Sequence, residues 1–385
     1  MFTLCGCGSD PKALREQARA DWAAGRLDEA ERGLARLADL RPPDLQERLL
    51  RAQVARQRGR VDEAVEFLGD AGPDAPAAEA AVVASTRGTL ELARHRFRDA
   101  EAALALAVDL DPSRAEARRE LVNLYALQNR QADLSNQFRA LAQADGEPLS
   151  FADLYLWTLG RREDAGPAEL AETLAKATAA DPGDRASRLA LAENLRRLGR
   201  LDESSIVLGL LAQADPDARV GLARLALDRG DAAAAERLLT LTGARPHPAS
   251  ARLLGRIALA RGDAAAAERA FRAAVEAEPD DRDGRAGLAQ ALRLAGKAGD
   301  AVDLARYVRD RDRLEWLVQN ARPAARRDDP ATLRAVGDVC RDLGRTALAR
   351  AWYRLALSKN PLDVDLQKSL FRLDEEAASP SSWSY

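Results

Sequence analysis

Bulky apolar residues recur at Leu34, Leu68, Leu104, Phe138, Leu208, Phe271 and Tyr353, each set in a stretch whose other apolar positions fall three and four residues apart. That spacing puts them on one face of a helix. Four residues before six of them comes a small residue that lets two helices cross closely: Ala30, Ala64, Ala100, Ser204, Ala267 and Ala349. Five residues earlier again lies a turn position, Gly25, Gly59, Gly199, Gly262 or Gly344, with His95 there once. Glycine suits such a turn because it accepts a left-handed backbone. Prolines that end helical segments close the pattern at Pro42, Pro76, Pro112, Pro182, Pro216, Pro279 and Pro361. Pro42 to Pro76 is 34 residues, the next step is 36, the next is 70 (two repeats), and Pro182 to Pro216 is again 34. The repeating unit predicted is helix, turn, helix.

Composition agrees with an all-α chain. Hydrophobic residues make up 46% and aromatics only 4%, and alanine runs recur at 232–235 and 264–267. Such a mixture suits close helix packing better than strands. With 58 basic and 61 acidic residues and a net charge of −3, the phosphate-neutralising excess of a nucleic-acid wrapper is missing. Helical-repeat nucleic-acid binding therefore ranks last among the readings. Three cysteines, Cys5, Cys7 and Cys340, and two histidines build neither a disulfide framework nor a tetrahedral zinc site. No stretch has the length of apolar sequence that a membrane helix needs.

The segments GRLDEAERGLARLADLRP (25–42) and RGDAAAAERAFRAAVEAEP (261–279) resemble the tetratricopeptide repeat family. Ten units begin near residues 11, 45, 81, 115, 151, 185, 216, 248, 282 and 330, so the resemblance covers roughly 90% of the chain. It implies a right-handed α-solenoid, a superhelix of about ten helix-turn-helix units. The organisation expected is an N-terminal segment over 1–10 and an array of about nine units over 11–315. An insertion or hinge over 316–329 follows, then a last unit over 330–363, a capping helix over 364–378 and a disordered tail over 379–385. The fifth, seventh and ninth units depart from the pattern, the fifth carrying Leu170 where the small residue belongs.

The resemblance further implies a non-enzymatic scaffold or adaptor whose concave groove, lined by the first helix of each unit, holds a peptide or helix of a partner protein. The fifth and ninth positions of each unit face that groove in the family register. The residues singled out there are Arg119, Asn123, Tyr155, Glu193, Arg224, Arg252 and Arg256. Because a guanidinium fork fits a carboxylate bidentately, an acidic segment is the expected ligand. The alternative, that these arginines pair with carboxylates of the array itself, stays open. Arg119 and Asn123 resemble two positions of the carboxylate-clamp modules of the family. The next unit has Tyr155 and Leu156 where the clamp has asparagine, so that specificity is not carried over.

Leu4-Cys5-Gly6-Cys7 resembles a bacterial lipobox with Cys7 as the lipidated residue, which implies envelope tethering if the true start lies upstream. The other reading is a free amino terminus on a cytoplasmic protein, for instance a regulatory subunit controlling a partner enzyme or secretion machinery. His95 and His247 read as surface residues, Cys340 as a packed small hydrophobe, Trp157 and Trp352 as core, and Trp383 as part of the tail. No catalytic group, metal site or cofactor is expected.

Overall fold

The computed structural model describes residues 10–72, 74–144, 148–161, 166–240 and 247–378. It is all-α, and no strand occurs among the described residues. The chain forms two compact units, one of residues 1–124 with 176–184, the other of 125–175 with 185–385.

In the first unit, α1 (Pro11–Ala23) pairs with α2 (Leu27–Leu40), α3 (Leu45–Gln57) with α4 (Val61–Leu68), and α5 (Ala77–Ala93) with α6 (Phe97–Leu110). α7 (Ala115–Leu127) begins here and ends in the second unit, which continues with α8 (Gln131–Gln143) and α9 (Phe151–Leu159). α10 (Pro167–Ala180) begins in the second unit and ends in the first. Regular hairpins follow: α11 (Arg185–Arg197) with α12 (Leu201–Gly209), α13 (Pro216–Asp228) with α14 (Ala232–Thr240), and α15 (Pro248–Ala260) with α16 (Ala264–Ala277). α17 (Arg282–Leu294) packs on the long α18 (Val302–Asn320), short α19 (Ala324–Arg327) comes next, α20 (Pro330–Asp342) pairs with α21 (Thr346–Lys359), and α22 (Val364–Ala378) packs on α21.

The hairpin turns follow from backbone conformation. Gly25, Gly59, Gly199, Gly262 and Gly344 all have φ between 72° and 77°. His95 and Asn129 take the same left-handed turn with φ 58°, a region that costs L residues about 1–2 kcal/mol. One expectation about helix ends is corrected. Pro216 opens α13 at its first turn instead of closing a segment, because a first-turn position has no intrahelical use for the N–H that proline lacks. Pro76 likewise precedes α5 as its N-cap.

Each hairpin buries its bulky residue against small ones. Phe271 is 1% exposed, packed with Ala267, Leu288 and Leu292 and flanked by Gly255 and Gly287. Burying one such ring is worth about 2–3 kcal/mol. Leu34, Leu68 and Leu208 hold the same place in their hairpins.

The second unit also contains packing that the repeat pattern does not describe. α21 lies against α8 and α9, and α18 also touches α9. Trp352 is fully buried; its indole Nε1 donates to Thr158 Oγ1 at 3.1 Å and its ring meets Phe151 edge-on at 5.7 Å. Trp157 stacks on Phe138 at 5.5 Å. The Arg354 guanidinium donates to the Ala142 carbonyl at 2.6 Å, and Arg161 pairs with Glu315 at 2.7 Å. Residues 316–329 take part: the first five finish α18, and Arg322 and Arg327 lie over the rings of Tyr155 and Phe151.

Candidate functional site

The first helices of the second unit carry a column of charge. Glu193 on α11, Arg224 on α13 and Arg256 on α15 occupy equivalent positions in successive hairpins. Glu193 accepts from Arg196 at 2.9 Å, Arg224 at 3.1 Å and Arg197 at 3.2 Å. Burial alone would raise its pKa, but the Arg196 hydrogen bonds and the charges of Arg224, Arg196 and Arg197 outweigh it and hold the carboxyl at about 2, against 4.5 ordinarily. A depressed folded-state pKa stabilises the fold above pH 4.5, and that contribution disappears as pH falls toward 2. Discounted for its residual exposure, it is about 2 kcal/mol. Glu193→Gln should therefore be less stable than the parent by about that much in urea unfolding at pH 7, with the gap closing between pH 4.5 and 2. A gap independent of pH would show that the three arginines do not depress this carboxyl.

Arg224 is thus spent on Glu193. Arg252 is spent as well: its Nη1 donates to Asp281 Oδ2 at 2.6 Å, and Asp281 is the N-cap of α17. The same step of 29 residues joins Arg15 to Asp44 at 3.0 Å and Arg334 to Asp363 at 3.8 Å. A first-helix arginine reaching the acid at the start of the next hairpin is therefore a stacking device of this array, and it uses side chains expected to face a ligand. Arg256 is different. It is exposed and makes no ion pair or side-chain hydrogen bond among the described residues. In the first unit Arg119 and Asn123 on α7 are both exposed.

Tyr155 is corrected. Expected in the groove, it is 3% exposed, because α9 packs under α18 and α21; its hydroxyl donates to Gln319 Oε1 at 3.4 Å. Cys7 and Trp383 lie outside the described residues.

His247, Asp217 and Cys340 are tied up or neutral. His247 holds Asp217 at 2.8 Å, and the Asp217 carboxyl is kept near 2 by that bond and by Arg185 despite partial burial. Burial pushes the Cys340 thiol up to about 12, so it is neutral at physiological pH. Among the described residues no group of His, Cys, Asp and Glu side chains is arranged to hold a metal ion, and no helix is long and apolar enough to cross a membrane.

A tetratricopeptide repeat family model matches residues 15–78, 85–133 and 252–315. The chain is 32% identical over 190 residues to cellulose synthase operon protein C of Xanthomonas axonopodis pv. citri (strain 306), covering 47% of this chain and 12% of that protein. It therefore spans about an eighth of that relative's length. Similar solved structures include the Cut9–Hcn1 hetero-tetramer of the APC/C, at 14% identity over 95% of this chain and 90% of that one with a TM-score of 0.38. Another is a tetratricopeptide repeat protein from Parabacteroides merdae ATCC 43184, at 18% identity over 73% and 98% with a TM-score of 0.31. Matched by the family model at these three places, and built there from helix-turn-helix hairpins, the chain carries tetratricopeptide repeats.

Proposed function

We propose that the chain is a non-enzymatic scaffold that holds an acidic segment of a partner protein along the first helices of its second unit, with Arg256 as the anchoring charge. Repeats of this class serve generally as protein-interaction scaffolds, and the fold is typically non-catalytic. The observation that carries the acidic preference is a contrast along these first helices. Glu193 neutralises Arg224 and Asp281 neutralises Arg252, whereas Arg256 is left exposed with its fork open. A partner carboxylate there forms a charge-assisted pair without breaking any bond of the fold.

Fluorescence polarisation with a labelled glutamate-rich peptide tests this. The parent is expected to bind with an affinity that falls as salt rises, and Arg256→Glu to weaken binding about tenfold, or 1.4 kcal/mol, with stability unchanged within about 0.5 kcal/mol. Equal binding by parent and variant at physiological salt would remove the acidic-ligand reading. Arg252→Glu is not equivalent, because it also breaks the Asp281 contact and unsettles the stacking.

The likeness to a cellulose synthase operon protein supports a second reading, a repeat subunit that regulates a polymer-synthesising enzyme. Deleting the chain in its host and finding exopolysaccharide output unchanged would remove it.

A further inference from the structure

α21 carries three basic side chains, Arg350, Arg354 and Lys359, and no carboxylate. Two of them are matched by acids from other segments. Arg350 pairs with Asp374 of α22 at 2.6 Å, and Lys359 with Asp328 at 2.5 Å. Arg354 differs: it makes no ion pair among the described residues, and its hydrogen bond runs from Nη1 to the Ala142 carbonyl at 2.6 Å. Ala142 lies in the last turn of α8, where carbonyls lack a partner within the helix and attract cations. The guanidinium is thus fixed by a backbone dipole and not by a carboxylate, and the edge formed by its Nε and Nη2 stays open.

Arg354 borders a cavity of about 410 Å³ between the end of α8, the residues leading into α9, and α21 with the turn that follows it. Cavities of about 300–1,000 Å³ are the usual size for small-molecule sites. Leu141, Leu149, Ala351, Leu357 and Pro361 supply apolar walls, and Leu149 and Ala351 are buried. Beside Arg354, two polar side chains line the space, and both bond to nearby carbonyls. The Ser358 hydroxyl donates to Leu355 at 2.7 Å and the Gln367 amide to Pro361 at 2.7 Å. No acid lines the cavity, so Arg354 is its one charged residue. A neutral apolar occupant would strip water from the guanidinium without replacing it, and a small hydrophilic anion would leave the apolar walls wet. A ligand with an apolar body and one carboxylate meets both demands, since a single guanidinium edge takes a carboxylate bidentately.

We propose that this cavity binds a small free carboxylic acid with an apolar chain, the chain lying between Leu141, Leu149 and Leu357 and the carboxylate on the Nε–Nη2 edge of Arg354. The site uses none of the groups in the scaffold reading above.

Isothermal titration calorimetry of the full chain with octanoate, kept below its micelle-forming concentration, tests the site against acetate and 1-octanol at the same ionic strength. The parent should take up octanoate saturably, with no saturable heat from acetate and at least tenfold weaker binding of 1-octanol. Arg354→Gln should weaken octanoate binding about tenfold, or 1.4 kcal/mol, and leave 1-octanol unchanged. Ser358→Trp, at an exposed position, places an indole in the cavity and should abolish octanoate uptake. It carries the comparison should Arg354→Gln, which also loosens the contact with α8, fail to fold. No octanoate binding by the parent, or unchanged binding in either variant, overturns the site. Equal affinity for 1-octanol overturns the carboxylate, and tighter binding of an acetylated peptide ending in leucine overturns the free acid as occupant.

Discussion

Trp352→Ala should cost about 3–5 kcal/mol, the range for emptying a large aromatic site in a packed core. Trp352 is fully buried, and its loss removes the indole contact with Phe151 and strands the Thr158 hydroxyl without the donor it now accepts from. Thr158 keeps its own bond to the Leu154 carbonyl at 2.6 Å, so the hydroxyl is not left wholly unsatisfied and the cavity dominates the loss. Trp352→Phe separates the two effects. It keeps a ring against Phe151 and gives up the N–H bond, so its cost should lie near 1 kcal/mol plus the smaller void. The alanine change also uncouples α21 from α9, 194 residues away in sequence between Trp352 and Thr158, and should lower the urea m-value as cooperativity falls. Urea unfolding followed by circular dichroism measures both. A loss under 1 kcal/mol with an unchanged slope would mean that this contact does not hold the unit together in solution.

That contact also marks the limit of what the sequence disclosed. A repeat near 34 residues encodes neighbours one hairpin away, and those were legible: the turn glycines with positive φ, the Phe271 and Tyr353 positions, and the small residues against which they pack. Packing across 164 residues, as between Tyr155 and Gln319, has no period to reveal it. Tyr155 therefore passed for a groove residue. Arg252 and Arg15 are a different case. Both stand on first helices, but whether a guanidinium faces a ligand or a cap depends on where the next hairpin begins, and Asp281 and Asp44 decide it only once the helices stack. Asn129 was missed as a turn residue because asparagine reaches the left-handed region without being glycine.

The second large effect is expected around Phe271, where two glycines act through volume and not through backbone freedom. A Cβ at Gly287 would lie 2.2 Å from Phe271 Cε1, and one at Gly255 2.7 Å from Cε2. Alanine is the better helix former by about 1 kcal/mol, so propensity alone would make Gly287→Ala stabilising. The clash should win. The ring is 1% exposed with small residues on both sides, and overpacking a closed core costs about 1–3 kcal/mol or more. Gly209→Ala is the control: it ends α12 with nothing within 4 Å of a new Cβ, and should be neutral or stabilising by up to about 1 kcal/mol. Phe271→Ala should cost about 3–5 kcal/mol by the opposite route, a cavity. In the double variant Gly287→Ala with Phe271→Leu, the methyl occupies space that the smaller side chain vacates, so the combined loss should fall short of the sum of the single losses by about 0.5–3 kcal/mol. Denaturant midpoints of the four proteins close the cycle. Strict additivity would show that Gly287 and Phe271 do not compete for one volume, and would take away the packing reason for a glycine inside this helix.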